Sequence, residues 1–132
     1  MARLSQRSEL VTEQRRVLVV DDDHDAAEAI GDLLRDSGHT VATANDGPQA
    51  LDRARRLRPD VVLLDIGLPE MDGYEVAKRM RDELGLGDAL LVALTGYGED
   101  RHRRSAREAG FDQHVTKPVD AARLEELLKL SR

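Results

Sequence analysis

The sequence predicts an α/β fold: a parallel sheet, doubly wound, with helices on both faces. Three observations predict it. Short unbroken runs of Val and Leu recur along the chain. Each is followed by a segment whose apolar residues fall at helical spacing, and Gly, Pro and Asn-Asp-Gly signals punctuate the joins. Strands buried on both faces read as continuous apolar runs, and their alternation with helices requires right-handed crossovers.

Residues 1–15 are polar and charged with no firm period, and read as a flexible leader or linker. The folded unit spans 16–130. It opens with the strand "RVLVV" (16–20), then "DAAEAIGDLLRDSG", where Ala26, Ala27, Ile30, Leu33 and Leu34 mark one face of a helix and Gly38 its stop. "TVATA" (40–44) is the second strand and "NDG" (45–47) a turn. "PQALDRARRLR" (48–58) is a helix with Pro at its first position and Ala50, Leu51, Ala54 and Leu57 inward. "DVVLLD" (60–65) is a buried strand, "GLPEMDG" a loop and "YEVAKRMRDEL" (74–84) an amphipathic helix. "DALLVALTG" (88–96) is the fourth strand and "EDRHRRSAREAG" (99–110) a helix. "FDQHVTK" (111–117) is a weaker strand, and "DAARLEELLKL" (120–130) a fifth helix with Leu124, Leu127 and Leu128 inward.

Composition narrows the function. With 132 residues the chain fits one domain, and with aromatics at 2% its core must be built from Leu, Val, Ile and Ala. The absence of cysteine excludes disulfides and thiolate metal sites, and fits a cytoplasmic location. No apolar run reaches the roughly 20 residues that span a bilayer, so no membrane role is expected. A net charge of −6 argues against whole-surface nucleic-acid binding.

In doubly wound sheets ligands bind beyond the carboxyl ends of the strands. There the first strand runs into Asp21, Asp22 and Asp23, the third ends in Asp65, the fourth in Thr95 and the fifth in Lys117 before Pro118. The second runs into "NDG", a turn with no distinctive site chemistry. Singly, each has a bland reading: Asp23 or Asp25 as a helix N-cap, a strand-final Asp or Thr starting a turn, a solvated Lys-Pro. Together on one rim they form a phosphoryl-transfer site. Clustered carboxylates suit a hard cation such as Mg²⁺ (or Mn²⁺), a metal-flanked carboxylate can accept phosphate as a nucleophile, and a hydroxyl and an ammonium can hold phosphoryl oxygens. A cation also explains why three consecutive aspartates are tolerated, with Asp23 a spectator or helix cap.

The runs "VLVVDDDHD", "PDVVLLDIGLPEMDGYEV", "VALTG" and "HVTKPVD" resemble the receiver domain of two-component response regulators, the CheY-like family. The resemblance covers about residues 16–130. It implies a flavodoxin-like, five-stranded parallel sheet in the order 2-1-3-4-5 with five helices. It further implies Asp65 as phosphoacceptor, Asp22 as direct Mg²⁺ ligand, Asp21 acting largely through water, and the Gly67 backbone carbonyl completing the metal shell. Thr95 would follow the phosphoryl group during activation, Lys117 would pair with its oxygens, and the peptide before Pro118 would be cis. Pro69 and Gly73 match the family's "P…DG" loop. Where many receivers carry Tyr or Phe as a rotating switch this chain has His114, whose protonation would make switching pH-sensitive. Tyr97, like residue 67, stands where the family tunes dephosphorylation.

The resemblance implies a bacterial phosphoprotein that catalyses only its own phosphorylation and dephosphorylation, and is otherwise not an enzyme. Its donor would be a histidine kinase or histidine phosphotransfer domain. A downstream protein would read the face formed by the helix at 99–109, the strand at 111–117 and the helix at 120–130. That first helix carries Arg101, Arg103, Arg104 and Arg107, either a solvated face or a dock for an acidic partner. A monomer or weak dimer is expected, either a stand-alone receiver or one belonging to a hybrid kinase. Two other readings compete: a phosphorylation-independent pseudo-receiver that only binds proteins, and a haloacid-dehalogenase-like phosphohydrolase with Asp21 as nucleophile. The second lacks the Thr its Asp-x-Asp-x-Thr pattern needs, since position 25 is Asp.

Overall fold

The computed structural model describes residues 14–68, 70–96 and 109–130. The helix expected at 99–110 with its four arginines, apart from its last two residues, lies outside the described residues, as do Tyr97 and Pro69. Five parallel strands form one sheet: β1 (Arg16–Val20), β2 (Thr40–Ala44), β3 (Val61–Asp65), β4 (Leu90–Thr95) and β5 (Gln113–Thr116). Their order is β2-β1-β3-β4-β5. Among the described residues there are four helices: α1 (His24–Asp36), α2 (Gly47–Leu57), α3 (Gly73–Asp82) and α4 (Ala121–Lys129).

The strand period of two sorts the apolar runs onto two cores. Leu18, Val20, Val62, Leu64, Leu91 and Ala93 pack with Ala50 and Ala54 of α2 and Val76, Ala77 and Met80 of α3. Val17, Val19, Val61, Leu63, Val92 and Leu94 pack with Ala27, Ile30 and Leu34 of α1 and Leu124, Leu127 and Leu128 of α4. Each fully buried Leu among them stabilises the fold by about 2 kcal/mol relative to its exposure.

Every described helix starts at an aspartate. Asp23 accepts from the amides of Asp25 and Ala26, Asp46 from Gln49, Asp72 from Glu75 and Asp120 from Arg123. Each cap satisfies an orphan donor and contributes about 1 kcal/mol. The third of the consecutive aspartates is therefore a helix cap. Asp46 also moves the start of α2 to Gly47, one residue before the expected Pro48. Gly38, just past α1, takes the left-handed conformation at φ 95°.

β4 and β5 are shorter than their expected ranges, and the segments leading into them are held by a side chain of α3. The Arg81 guanidinium, on α3, donates to the carbonyls of Leu86, Ala89 and Gly110 at 2.6, 2.9 and 2.7 Å, and to Asp112 Oδ2 at 2.9 Å. Asp112 Oδ2 also accepts the Leu91 amide. One side chain thus ties residues 86–89 to residues 110–112, while Asp112 keeps a bond to β4 through its amide on the Leu91 carbonyl at 2.8 Å. Phe111 turns into the core, edge-on to Tyr74 with ring centroids 6.4 Å apart.

Ahead of β1, the Arg15 amide donates to Nδ1 of the buried His39. Nδ1 accepts, so Nε2 carries the proton of the neutral ring, and it is buried without a hydrogen-bond partner among the described residues. Burial lowers the His39 pKa below 6.5; the Glu125 carboxylate works against that and the Arg15 charge with it. A lowered histidine pKa means the folded state prefers the neutral ring. Its contribution to stability is complete above pH 6.5 and is lost as pH falls below that value toward the lowered pKa. Thermal melts across that range are expected to show a drop in wild type that His39→Gln flattens.

Candidate functional site

The sheet register brings the strand ends level. Val20 pairs with Ala44 and Leu64, Asp65 with Leu94, and Leu94 with Val115. Asp21 extends β1 by one residue, its amide donating to the Ala44 carbonyl at 3.0 Å. Lys117 is brought alongside when its amide donates to the Thr95 carbonyl at 2.7 Å. Only four polar or charged residues are buried among the described residues: Asp21, Asp65, Thr95 and His39. Three of them are strand-end residues on one rim. Burial of this kind is costly unless the groups have partners, so the partners matter.

Lys117 Nζ donates to Asp65 Oδ2 at 3.1 Å and to Asp21 Oδ2 at 3.5 Å. Asp65 Oδ1 accepts the Gly67 amide at 2.8 Å, and Asp21 Oδ1 accepts the Asp23 amide at 3.0 Å. Burial pushes the Asp21 carboxyl above its ordinary pKa and the Asp65 charge adds to that, against the Asp23 amide and the Lys117 ammonium. Burial also works against the Lys117 ammonium. Its hydrogen bond and charge interaction with Asp65, together with the charge of Asp21, leave its pKa raised.

The exposed Asp22 completes the cluster. One carboxylate oxygen from each of Asp21, Asp22 and Asp65 lies within 4.8 Å of the others. Three hard oxygen donors at this spacing, one opening to solvent, fit a small divalent cation that keeps several waters. A cation beside Asp21 would oppose the effect of burial on its carboxyl.

Thr95 points its hydroxyl at β5, donating to the Val115 carbonyl at 3.3 Å. Gly67 would place a Cβ 3.4 Å from Asp65 Oδ1, so any side chain there would lie against the carboxylate. Gly73 has a sharper reason. A Cβ on it would come 2.6 Å from the Ile66 Cα and 2.8 Å from the Asp65 carbonyl oxygen, so only glycine lets α3 start directly beneath the Asp65 backbone. The Lys117–Pro118 peptide is cis. His114 is half-buried in β5 and pairs with Ala93, whose face of the sheet it shares.

The turn after β2 corrects the sequence reading. Expected to carry no site chemistry, it sends the Asn45 amide Nδ2 to the Asp21 carbonyl at 2.9 Å. A strand-end Asn on the rim that carries the aspartates was the available signal.

The profile of the response regulator receiver domain matches residues 17–129. The chain belongs to this family. The receiver domain is 32% identical over 115 residues to the polar-differentiation response regulator DivK of Brucella anthropi, covering 87% of this chain and 94% of that one. It is 41% identical over 107 residues to the DNA-binding response regulator MtrA of Mycolicibacterium smegmatis, 81% of this chain against 46% of that longer protein. The chemotaxis protein CheY4 of Vibrio cholerae superposes with a TM-score of 0.84 at 28% identity, over 90% of this chain and 99% of that one. The receiver domain of sensor histidine kinase PA1611 from Pseudomonas aeruginosa, solved with a magnesium ion coordinated in its active-site cleft, superposes at 0.79 with 30% identity, over 89% of this chain and 97% of that one. Five parallel strands in the order 2-1-3-4-5 agree with the expected sheet.

Proposed function

We propose that this receiver domain takes a phosphoryl group from a phosphohistidine of a histidine kinase or phosphotransfer protein onto Asp65, and that Mg²⁺ is its cofactor. The observation that carries the reading is the grouping of Asp21, Asp22 and Asp65 carboxylates with the Lys117 ammonium against Asp65.

Asp21, Asp22 and Asp65 would hold the metal, with the Gly67 carbonyl as a further ligand; bound there, it supplies positive charge for the phosphoryl oxygens. In the transfer an Asp65 oxygen attacks phosphorus, the P–O bond forms as the N–P bond breaks, and the imidazole leaves and takes up a proton. Lys117, held on Asp65 Oδ2, is placed to neutralise a phosphoryl oxygen as charge builds. Gly67 keeps Asp65 Oδ1 oriented through its amide, and its lack of a side chain leaves the approach open.

The output follows from Thr95. Its long hydrogen bond to Val115 competes with a phosphoryl oxygen, a stronger, charged acceptor. On phosphorylation the hydroxyl moves to that acceptor, loosening β4 from β5 and shifting the population of the surface that a downstream protein reads. Catalysis stays confined to the domain's own phosphorylation and dephosphorylation.

Intact mass after incubation with a small-molecule phosphodonor tests this. The expected result is one phosphoryl adduct that requires Mg²⁺ and is absent in Asp65→Asn. An adduct that survives Asp65→Asn and disappears in Asp21→Asn would move the nucleophile to Asp21 and favour a phosphohydrolase. No adduct in the folded wild type would leave a protein-binding pseudo-receiver.

A further inference from the structure

Asn45 directly follows β2 and is half-buried on the rim of the site. Its Nδ2 donates to the Asp21 carbonyl. That carbonyl belongs to the planar peptide joining Asp21 to Asp22, so the bond fixes the orientation of the one plane that links the two acidic residues. Asp21 is held on its other sides by its amide bond to Ala44 and by the Asp23 amide on Oδ1. Asp22 has no such support. It is exposed, and among the described residues its side chain makes no hydrogen bond or ion pair, so the backbone, which sets the direction of its Cα–Cβ bond, is what limits where its carboxylate reaches.

Asn45 is itself anchored. Its backbone amide donates to Gln49 Oε1 at 3.1 Å, and the Gln49 backbone amide donates to Asp46 Oδ1 at 2.8 Å, the N-cap of α2. The start of α2 therefore anchors the Asn45 backbone, and from there the side chain bonds to the Asp21–Asp22 peptide.

We infer that Asn45 is a positioning residue: it holds the Asp21–Asp22 peptide so that the Asp22 carboxylate faces Asp21 and Asp65 across the cation site. The inference rests on the proposed function, in which that site takes Mg²⁺. Outer groups that orient ligands act on affinity by sparing the metal the cost of ordering them. Removing the Asn45 donor frees the peptide to rock and lets the Asp22 carboxylate sample directions away from the site.

Calorimetric titration of Mg²⁺ into wild type, Asn45→Ala and Asn45→Ser tests it, with urea unfolding of each. Asn45→Ala is expected to bind Mg²⁺ about three- to tenfold more weakly. The Mg²⁺ needed for half-maximal phosphorylation by a small-molecule phosphodonor rises by the same factor, while the rate at saturating Mg²⁺ stays within about twofold. Asn45→Ser, which keeps a hydroxyl donor, recovers at least part of the affinity. Equal Mg²⁺ binding in wild type and Asn45→Ala overturns the inference, as does equal weakening by Ala and Ser, which would trace the loss to the turn and not to the donor. If the Ala variant does not fold, the isosteric Asn45→Asp takes its place. Weaker binding despite the added negative charge supports the inference, and equal or tighter binding overturns it. A wild type that binds no Mg²⁺ removes both this inference and the reading it rests on; binding in wild type with no effect at position 45 removes only this one.

Discussion

Replacing Asp21 with Asn will cut Mg²⁺ affinity about 10- to 100-fold and make the metal-free protein harder to unfold. The two effects have one cause. Asp21 is almost wholly buried, and burial raises its pKa above 3.8. A carboxyl whose folded pKa is raised contributes stability while it is protonated, below pH 3.8, and that contribution is lost as pH rises through the raised value. Ionising Asp21 is therefore a net cost to the metal-free fold. Asn has the same shape without the charge, and its side-chain oxygen can still accept the Asp23 amide. The lost contact to Lys117 is the longer of the two that Lys117 makes, 3.5 Å against 3.1 Å to Asp65. The gain expected in urea unfolding at neutral pH is about 1–2 kcal/mol. At a given Mg²⁺ concentration wild type should gain more stability than the variant, because a ligand that binds the folded state stabilises it by more the tighter it binds. A variant no more stable than wild type would mean that Lys117 already compensates the buried charge.

The second large effect is expected from the smallest substitution. Gly73→Ala places a methyl 2.6 Å from the Ile66 Cα and 2.8 Å from the Asp65 carbonyl oxygen. Both are backbone atoms, so neither can yield by changing rotamer. The first turn of α3 or the chain at 65–66 must move, at a cost of about 3 kcal/mol, the upper range for overpacking. The Gly73 amide also bonds to the Ile66 carbonyl at 3.2 Å, which ties the displacement to the residue beside Asp65. Urea unfolding should show the lost stability, and the phosphorylation rate of the folded fraction should fall with it, because Asp65 shares the displaced backbone. Gly67→Ala is the contrast. Among the described residues its Cβ would meet only Asp65 Oδ1 at 3.4 Å, an ordinary contact, so its stability should stay close to wild type. Equal stability losses in the two variants would show that the strain at Gly73 relaxes elsewhere.

Much of this molecule could be read from its residues alone. The runs at 16–20, 40–44 and 60–65 are unbroken and β-branched or leucine-rich, and they fall where β1, β2 and β3 lie, except that β3 starts one residue later. The helical spacing of Leu124, Leu127 and Leu128, and of Ala50 and Ala54, named residues that are buried. Strand-end position was enough to place Asp21, Asp22, Asp65, Thr95 and Lys117 on one rim, because a parallel sheet collects its carboxyl ends there. These features are local or topological, set by periodicity and by the handedness of crossovers, and such information is present along the chain.

What the tertiary structure alone decided is the choice among partners far apart in sequence. The Asn45 side chain could have ended on solvent, on its own turn or on the Asp21 carbonyl 24 positions away, and no pattern in "NDGPQ" ranks these. The amphipathic pattern of 74–84 does not single out Arg81, whose guanidinium gathers the carbonyls of Leu86, Ala89 and Gly110 and so ties together the segments that lead into β4 and β5. Thr95 was legible as a strand-end hydroxyl, but not its bond to Val115. The reason is the same in each case. A polar side chain bonds to whichever unsatisfied group the packed backbone brings within about 3 Å, and that geometry exists only after the apolar cores have placed the elements.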